Sequence, residues 1–162
     1  MGPASPGQTG VQPGAGLVVA VGCDHAGRDH KEAVRAHLEA KGHHVLDLGV
    51  SPDVDRADYP EVAIRVSRLI QSGQARFGVL VCGTGVGMCM AANRHPGVRA
   101  ANCNSEFLAV MARAHNDANV LTLGQRAMGP GLALSVLDAF LSARFEGGRH
   151  QERIDLFDRL SG

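Results

Sequence analysis

The chain has 162 residues and a mass of 17.0 kDa, with 44% hydrophobic and 20% charged side chains, enough for one domain that buries roughly 70% of the surface its unfolded form exposes. Its 16 Lys and Arg balance 16 Asp and Glu, and an isoelectric point near 7.1 argues against a protein whose main business is coating nucleic acid or an acidic membrane. With 4% aromatic residues, no Trp and 21 Gly, a ligand should be held by backbone and polar groups, not by stacked rings.

The first 16 residues, MGPASPGQTGVQPGAG, carry no charge and no large apolar cluster, so they are expected to form a disordered tail ahead of a single domain over 17–162. Leu17 to Val21 is a short β-branched apolar run, read as a buried parallel strand. Arg28 to Lys41 mixes apolar and charged positions at helical spacing and meets Gly42 where a helix should stop. The alternation continues with strands at His44–Leu48, Phe77–Cys82, Val98–Cys103 and Asn119–Leu123 and helices at Pro60–Gln71, Met88–Asn93, Ser105–Ala114 and Pro130–Ala143. Strands separated by helices of this size predict right-handed βαβ units and a parallel sheet covered on both faces, an α/β fold. A last helix, about His150 to Leu160, has no strand after it and packs either on a partner subunit or on its own domain.

Four cysteines, Cys23, Cys82, Cys89 and Cys103, form no CxxC pair, and no signal-peptide pattern precedes them, so free thiols in a reducing cytosol are expected. No run of about 18 apolar residues predicts a membrane span.

Open α/β sheets bind ligands beyond the carboxyl ends of their strands. Here the first strand delivers Cys23-Asp24-His25 and the third delivers Cys82-Gly83-Thr84-Gly85-Val86-Gly87 at its carboxyl end, Arg126 follows the fifth, and only His115-Asn116-Asp117 precedes a strand. Three alternate glycines between strand and helix can converge bare amides on an oxyanion or phosphate. A dinucleotide GxGxxG pattern and a cysteine-phosphatase CxxxxxR pattern both fail at Met88, and no Walker Lys is present. Cys82, facing amide donors, instead suits a base that removes a proton from carbon, with Thr84 and the loop amides stabilising an enediolate. Cys23, Cys89 and Cys103 are read as inert buried thiols. Arg149 and Arg153 share a helical face with His150 beside them and suit a phosphate, unless they are merely paired with Glu146, Glu152 or Asp155. His37, His43 and His44 are read as structural or surface residues, and no spacing of His, Cys and carboxylates demands a metal.

Five ordered motifs, GCDHAG, DYP, CGTGVG with AAN, HND with NVLTLG, and EGGRHQxR, give the chain a resemblance over roughly Leu17 to Leu160. It resembles the B-type ribose-5-phosphate isomerases, in the sugar-phosphate isomerase family that also holds galactose- and allose-phosphate isomerases. The resemblance implies a Rossmann-like three-layer α/β/α sandwich with a five-stranded parallel sheet, working without metal or organic cofactor in the cytoplasm. It also implies a homodimer, or a dimer of dimers, whose sites take residues from both subunits. Cys82 then resembles the base that moves a proton between C2 and C1 of ribose 5-phosphate and ribulose 5-phosphate in the non-oxidative pentose phosphate pathway. Thr84 and the amides of Gly83, Gly85, Val86 and Gly87 resemble the enediolate cradle, His115 the ring-opening acid, and Asp24 the group handling hydroxyl protons. His25, Arg149 and Arg153 match a phosphate grip, Tyr59 and Asn116 sugar contacts, and Arg126 a further substrate-side arginine. One branch of the family carries a glutamate base just after the third loop glycine. Met88 stands there, so the chain resembles the cysteine-base branch.

Two alternatives are weighed against this expectation. The same chemistry could serve another sugar phosphate, a tetrose phosphate, allose 6-phosphate or galactose 6-phosphate, since pocket depth is not legible in the sequence. A catalytically silent phosphate-binding module could reuse the sheet, but it would not need Cys82, His115 and Asp24 together.

Overall fold

Five parallel strands lie in the order β2-β1-β3-β5-β4 in the computed structural model, which describes residues 16–50 and 53–161. They are β1 (Val18–Cys23), β2 (His44–Asp47), β3 (Phe77–Cys82), β4 (Ala100–Asn102) and β5 (Val120–Gly124). Residues 1–15 of the tail expected to be disordered lie outside the described residues. The helices are α1 (Arg28–Ala40), α2 (Tyr59–Gln71), α3 (Val86–Ala92), α4 (Glu106–Asn116), α5 (Pro130–Ser142) and α6 (Arg149–Asp158). The expected α/β fold with a five-stranded all-parallel sheet is therefore the observed one.

Alternate strand residues bury into two cores, one on each face. Val19, Val21, Val79, Val81, Leu121 and Leu123 pack with Val34 and Leu38 of α1, Ala109 of α4 and Val136, Leu137 and Phe140 of α5. Ala20, Leu80 and Val120 pack with Val62 and Val66 of α2 and Met88 of α3. On that second face Gly22 lets α2 sit close, since a Cβ there would lie 2.6 Å from Val62.

Element ends differ from the expected ones where long-range bonds intervene. β1 runs on to Cys23 because it stays in register with Val81, and the Asp24 N–H then donates to Val81 O at 3.2 Å. β4 shrinks because the Val98 amide turns back to His95 O and the Arg99 amide to Asn119 Oδ1. α3 begins two residues early, at Val86, because Gly85 takes a left-handed φ of 81° and starts the turn. α4 runs to Asn116 and is stopped by Asp117 at φ 44°. α6 packs on its own domain through buried His150 and Ile154, while Leu156, Phe157 and Leu160 stay exposed. No helix among the described residues is long and apolar enough to cross a membrane.

Candidate active site

At the carboxyl edge of the sheet, Asp24, His25, Ala26, Tyr59, Cys82, Gly83, Thr84, Gly87 and Arg126 line a cleft of about 280 Å³. Strands β1 and β3 are neighbours, so their two polar exits meet there. Asp24 is 7% exposed and caps a short 3-10 turn, its carboxylate accepting the Ala26 N–H at 2.9 Å. His25 reaches across to Ala57 O at 3.3 Å, tying the first loop to the entry of α2. There the Tyr59 ring packs close against Gly87, where a Cβ would be 2.9 Å from it.

The glycine loop is tightly fitted. Cys82 is buried, and its Sγ accepts the Gly85 N–H at 3.1 Å. Thr84 Oγ1 accepts the Val86 N–H at 3.3 Å. Cys89 makes the first bond of α3, to Gly85 O at 3.0 Å, so the amides of Gly87 and Met88 precede the helical ladder. The Arg126 N–H donates to Gly83 O at 2.9 Å, which lays its side chain beside Gly83. A sulfur, a carboxylate, a hydroxyl and an arginine thus line one small cleft, a set suited to proton transfer at a carbon next to a carbonyl. The other thiols are set apart chemically. Burial pushes the Cys103 thiol up to about 11 and raises Cys23 and Cys89 as well, which suits their reading as inert.

His115, Asn116, Arg149 and Arg153 do not join this cleft within one chain. α4 leaves the carboxyl edge after β4 and ends at the amino edge, where Gly78 N–H, near the start of β3, bonds Asn119 O. Cys82 lies four strand residues beyond Gly78, about 13 Å along the sheet at 3.3 Å per residue. Asn116 instead lines a separate cavity of about 430 Å³ with Asn93, His95, Arg99, Phe157 and Asp158. His115 stacks on His150 with ring centroids 4.2 Å apart, beside Glu146. Burial lowers the His150 imidazole, as do the charges of His115, Arg149 and Arg153, against a raising effect from Glu146. Arg149 and Arg153 are exposed, and among the described residues neither forms an ion pair with a carboxylate. The bland reading of that pair as a self-neutralised face is not what the structure holds.

A family model described as Ribose/Galactose Isomerase matches residues 19–157. The chain belongs to the ribose/galactose isomerase family. Within this isomerase family it is 44% identical to ribose-5-phosphate isomerase B of Escherichia coli K12 over 85% of this chain and 91% of that protein. It is 40% identical to D-erythrulose-4-phosphate isomerase of Pectobacterium atrosepticum, over 86% of this chain and 91% of the relative. Its fold matches the crystal structure of ribose-5-phosphate isomerase B from Mycoplasma genitalium with bound ribulose 5-phosphate at a TM-score of 0.85 and 41% identity, covering 90% of this chain and 97% of the other.

Three contributors to the isomerase site escaped the sequence reading. Asn102, at the end of β4, donates through Nδ2 to Thr84 O at 3.4 Å and accepts from Thr122 Oγ1 at 3.2 Å. Its place at a strand end was the available signal. Gly124 leaves room for the loop, since a Cβ there would lie 2.6 Å from the Thr84 backbone. Glu146 was weighed only as an ion-pair partner for the arginines, whereas it faces two imidazoles.

Proposed function

We propose that the chain is an aldose-ketose isomerase interconverting D-ribose 5-phosphate and D-ribulose 5-phosphate through a 1,2-enediolate, in the cytoplasm and in the non-oxidative pentose phosphate pathway. The observation that carries the reading is the Cys82 sulfur held by the Gly85 amide in one cleft with Asp24, Thr84 and Arg126. The family relationship, and the 44% identical relative named a ribose-5-phosphate isomerase, support the substrate. Four free thiols suit a reducing compartment, and one continuous sheet supports a single isomerase domain over 17–162.

Cys82 Sγ removes the C2 proton of the open-chain aldose, and the electron pair moves through C1 to its carbonyl oxygen. The Thr84 hydroxyl and the loop amides of Gly83, Thr84 and Gly87 stabilise the resulting oxyanion, while the Gly85 and Val86 amides hold Cys82 Sγ and Thr84 Oγ1 in place. Asp24 takes the O2 proton and delivers one to O1. Cys82 then returns its proton to C1, which leaves a ketone at C2.

Ring opening needs His115 to give a proton to the ring oxygen and take one from the C1 hydroxyl, and the phosphate needs Arg149 and Arg153 together with His25. Because His115, Arg149 and Arg153 sit at the amino edge while His25 lines the cleft, the reading requires a homodimer in which each cleft is closed by the other copy's α4 and α6. Exposed Val86 and Met90 on α3 and Phe107 and Leu108 on α4 supply apolar surface for such contact.

A four-carbon substrate is the second reading, favoured by the 40% identical D-erythrulose-4-phosphate isomerase. A coupled assay offering ribose 5-phosphate beside tetrose and hexose phosphates decides by kcat/KM. Turnover of the pentose above the others supports the first reading, preference for the tetrose replaces it with the second, and no turnover of any overturns both.

A further inference from the structure

The cluster at the end of α4 is built, not incidental. The Glu146 N–H donates to Ala114 O at 3.0 Å, which anchors the α5 to α6 connection against α4. Left-handed Gly147 and Gly148, with φ of 66° and 55°, then turn the chain so that α6 starts with His150 against His115. The two imidazoles lie nearly parallel, 8° apart, and each Nε2 faces the same Glu146 Oε2, at 3.7 Å from His115 and 3.5 Å from His150. These separations are long for hydrogen bonds, although the His150 side chain is only 7% exposed. One donor atom from each of the three residues fits within 4.8 Å of the other two.

Two imidazoles and one carboxylate are a zinc donor set that leaves a fourth position open. Metal-ligand bonds of roughly 2.0–2.2 Å at tetrahedral angles put donor atoms about 3.3–3.6 Å apart, close to the two carboxylate–imidazole separations of 3.5 and 3.7 Å, and the part-exposed His115 ring has only to turn out of the parallel stack for both imidazole lone pairs to converge on one ion. We propose that His115, His150 and Glu146 form a binding site for a divalent transition cation of the Zn²⁺ class, and that its occupation withholds the His115 imidazole from ring opening. The inhibitory half rests on the proposed function; the binding half does not. His115 and Glu146 side chains are 38% and 59% exposed, so an ion can enter from solvent. The neighbouring guanidinium groups of Arg149 and Arg153 oppose a cation, which sets a modest affinity compared with a closed structural site.

The test is calorimetric titration of chelator-stripped full-length protein with Zn²⁺ in phosphate-free buffer, followed by activity with and without Zn²⁺. Loss of supporting groups alone weakens metal sites about 10- to 100-fold, so Glu146→Gln and His115→Gln should each weaken binding by about tenfold or more. Cys89→Ser, at a half-buried thiol, should leave it unchanged. Zn²⁺ should also slow the wild-type enzyme, reversibly by chelator, at the concentrations that fill the site. Absence of binding, or binding as tight in Glu146→Gln as in the wild type, overturns the site. Zn²⁺ bound at the cluster without slowing the enzyme overturns the inhibitory half and the ring-opening role of His115 while the site stands.

Discussion

Arg113 Nη1 meets the Asp117 carboxylate at 2.7 Å, where the last turn of α4 gives way to a left-handed Asp117 with φ 44°. The guanidinium lies 4.8 Å from the Phe77 ring centroid and also donates to Ala118 O at 2.8 Å, while Arg99 takes the second oxygen of Asp117 at 2.8 Å. Two arginines thus hold the residue that follows His115 and Asn116. Asp117→Gly should relieve the left-handed strain yet still lose stability, because it leaves the buried Arg113 charge unpaired. A fully buried pair broken in this way costs about 3–5 kcal/mol, and the part-exposed Asp117 should cost less. Denaturant unfolding measures the loss, and a variant as stable as the wild type contradicts the clamp.

Cys82→Ala should lower kcat by about 10² to 10⁴, the usual contribution of a positioned proton-transfer group. Its unfolding midpoint should barely move, because the change removes one atom. Full activity in the variant removes sulfur from the mechanism.

Gly85→Ala and Gly42→Ala separate strain from collision. Both glycines have left-handed φ, 81° and 82°, and each substitution should cost about 1 kcal/mol of stability from backbone strain. A Cβ on Gly85 would also lie 2.3 Å from Asn102 Oδ1, whereas one on Gly42 meets nothing within 4 Å. Gly85→Ala should therefore lose most of its kcat and Gly42→Ala none, as steady-state rates would show.

Mixing an inactive Cys82→Ala protein with an inactive His115→Asn protein tests the shared site. Random exchange between two-fold dimers makes half of them mixed, each with one intact site, so about a quarter of wild-type activity should return. A mixture that stays inactive after subunit exchange contradicts sites built across two copies.

The Lys31 ammonium, with its side chain only 8% exposed, bonds Asp47 at 2.8 Å and also contacts Glu32. Burial alone would raise the Asp47 carboxyl, but the Lys31 ammonium and the Gly49 amide outweigh it and hold it below the usual range. A carboxyl lowered by folding stabilises the protein fully above its unfolded value near 4 and loses that contribution as pH falls through the folded value. Asp47→Asn should accordingly flatten the acid limb of a stability-against-pH curve and cost about 1–2 kcal/mol at neutral pH, discounted from a buried pair because Asp47 is a third exposed. An unchanged acid limb would remove this pair from the account.

The amino-acid sequence alone determined the parallel α/β fold and which side chains of the first and third strand ends line the cleft, because both are local. Strand and helix periods are written within ten or so residues, and Asp24 directly follows β1 while Cys82 ends β3 with Thr84 two residues beyond it. β3 was legible to its exact ends because it is central and buried along its whole length, whereas β4 lost residues at both ends to side-chain and turn bonds. Only the tertiary structure decided that His115, Arg149 and Arg153 face the opposite edge from Cys82, and that Glu146 sits between two stacked imidazoles. Those relationships depend on the direction in which α4 crosses the sheet and on two left-handed glycines that aim α6. Neither leaves a periodic trace, since contacts between residues far apart in the chain are set by packing and loop geometry instead of by neighbouring side chains.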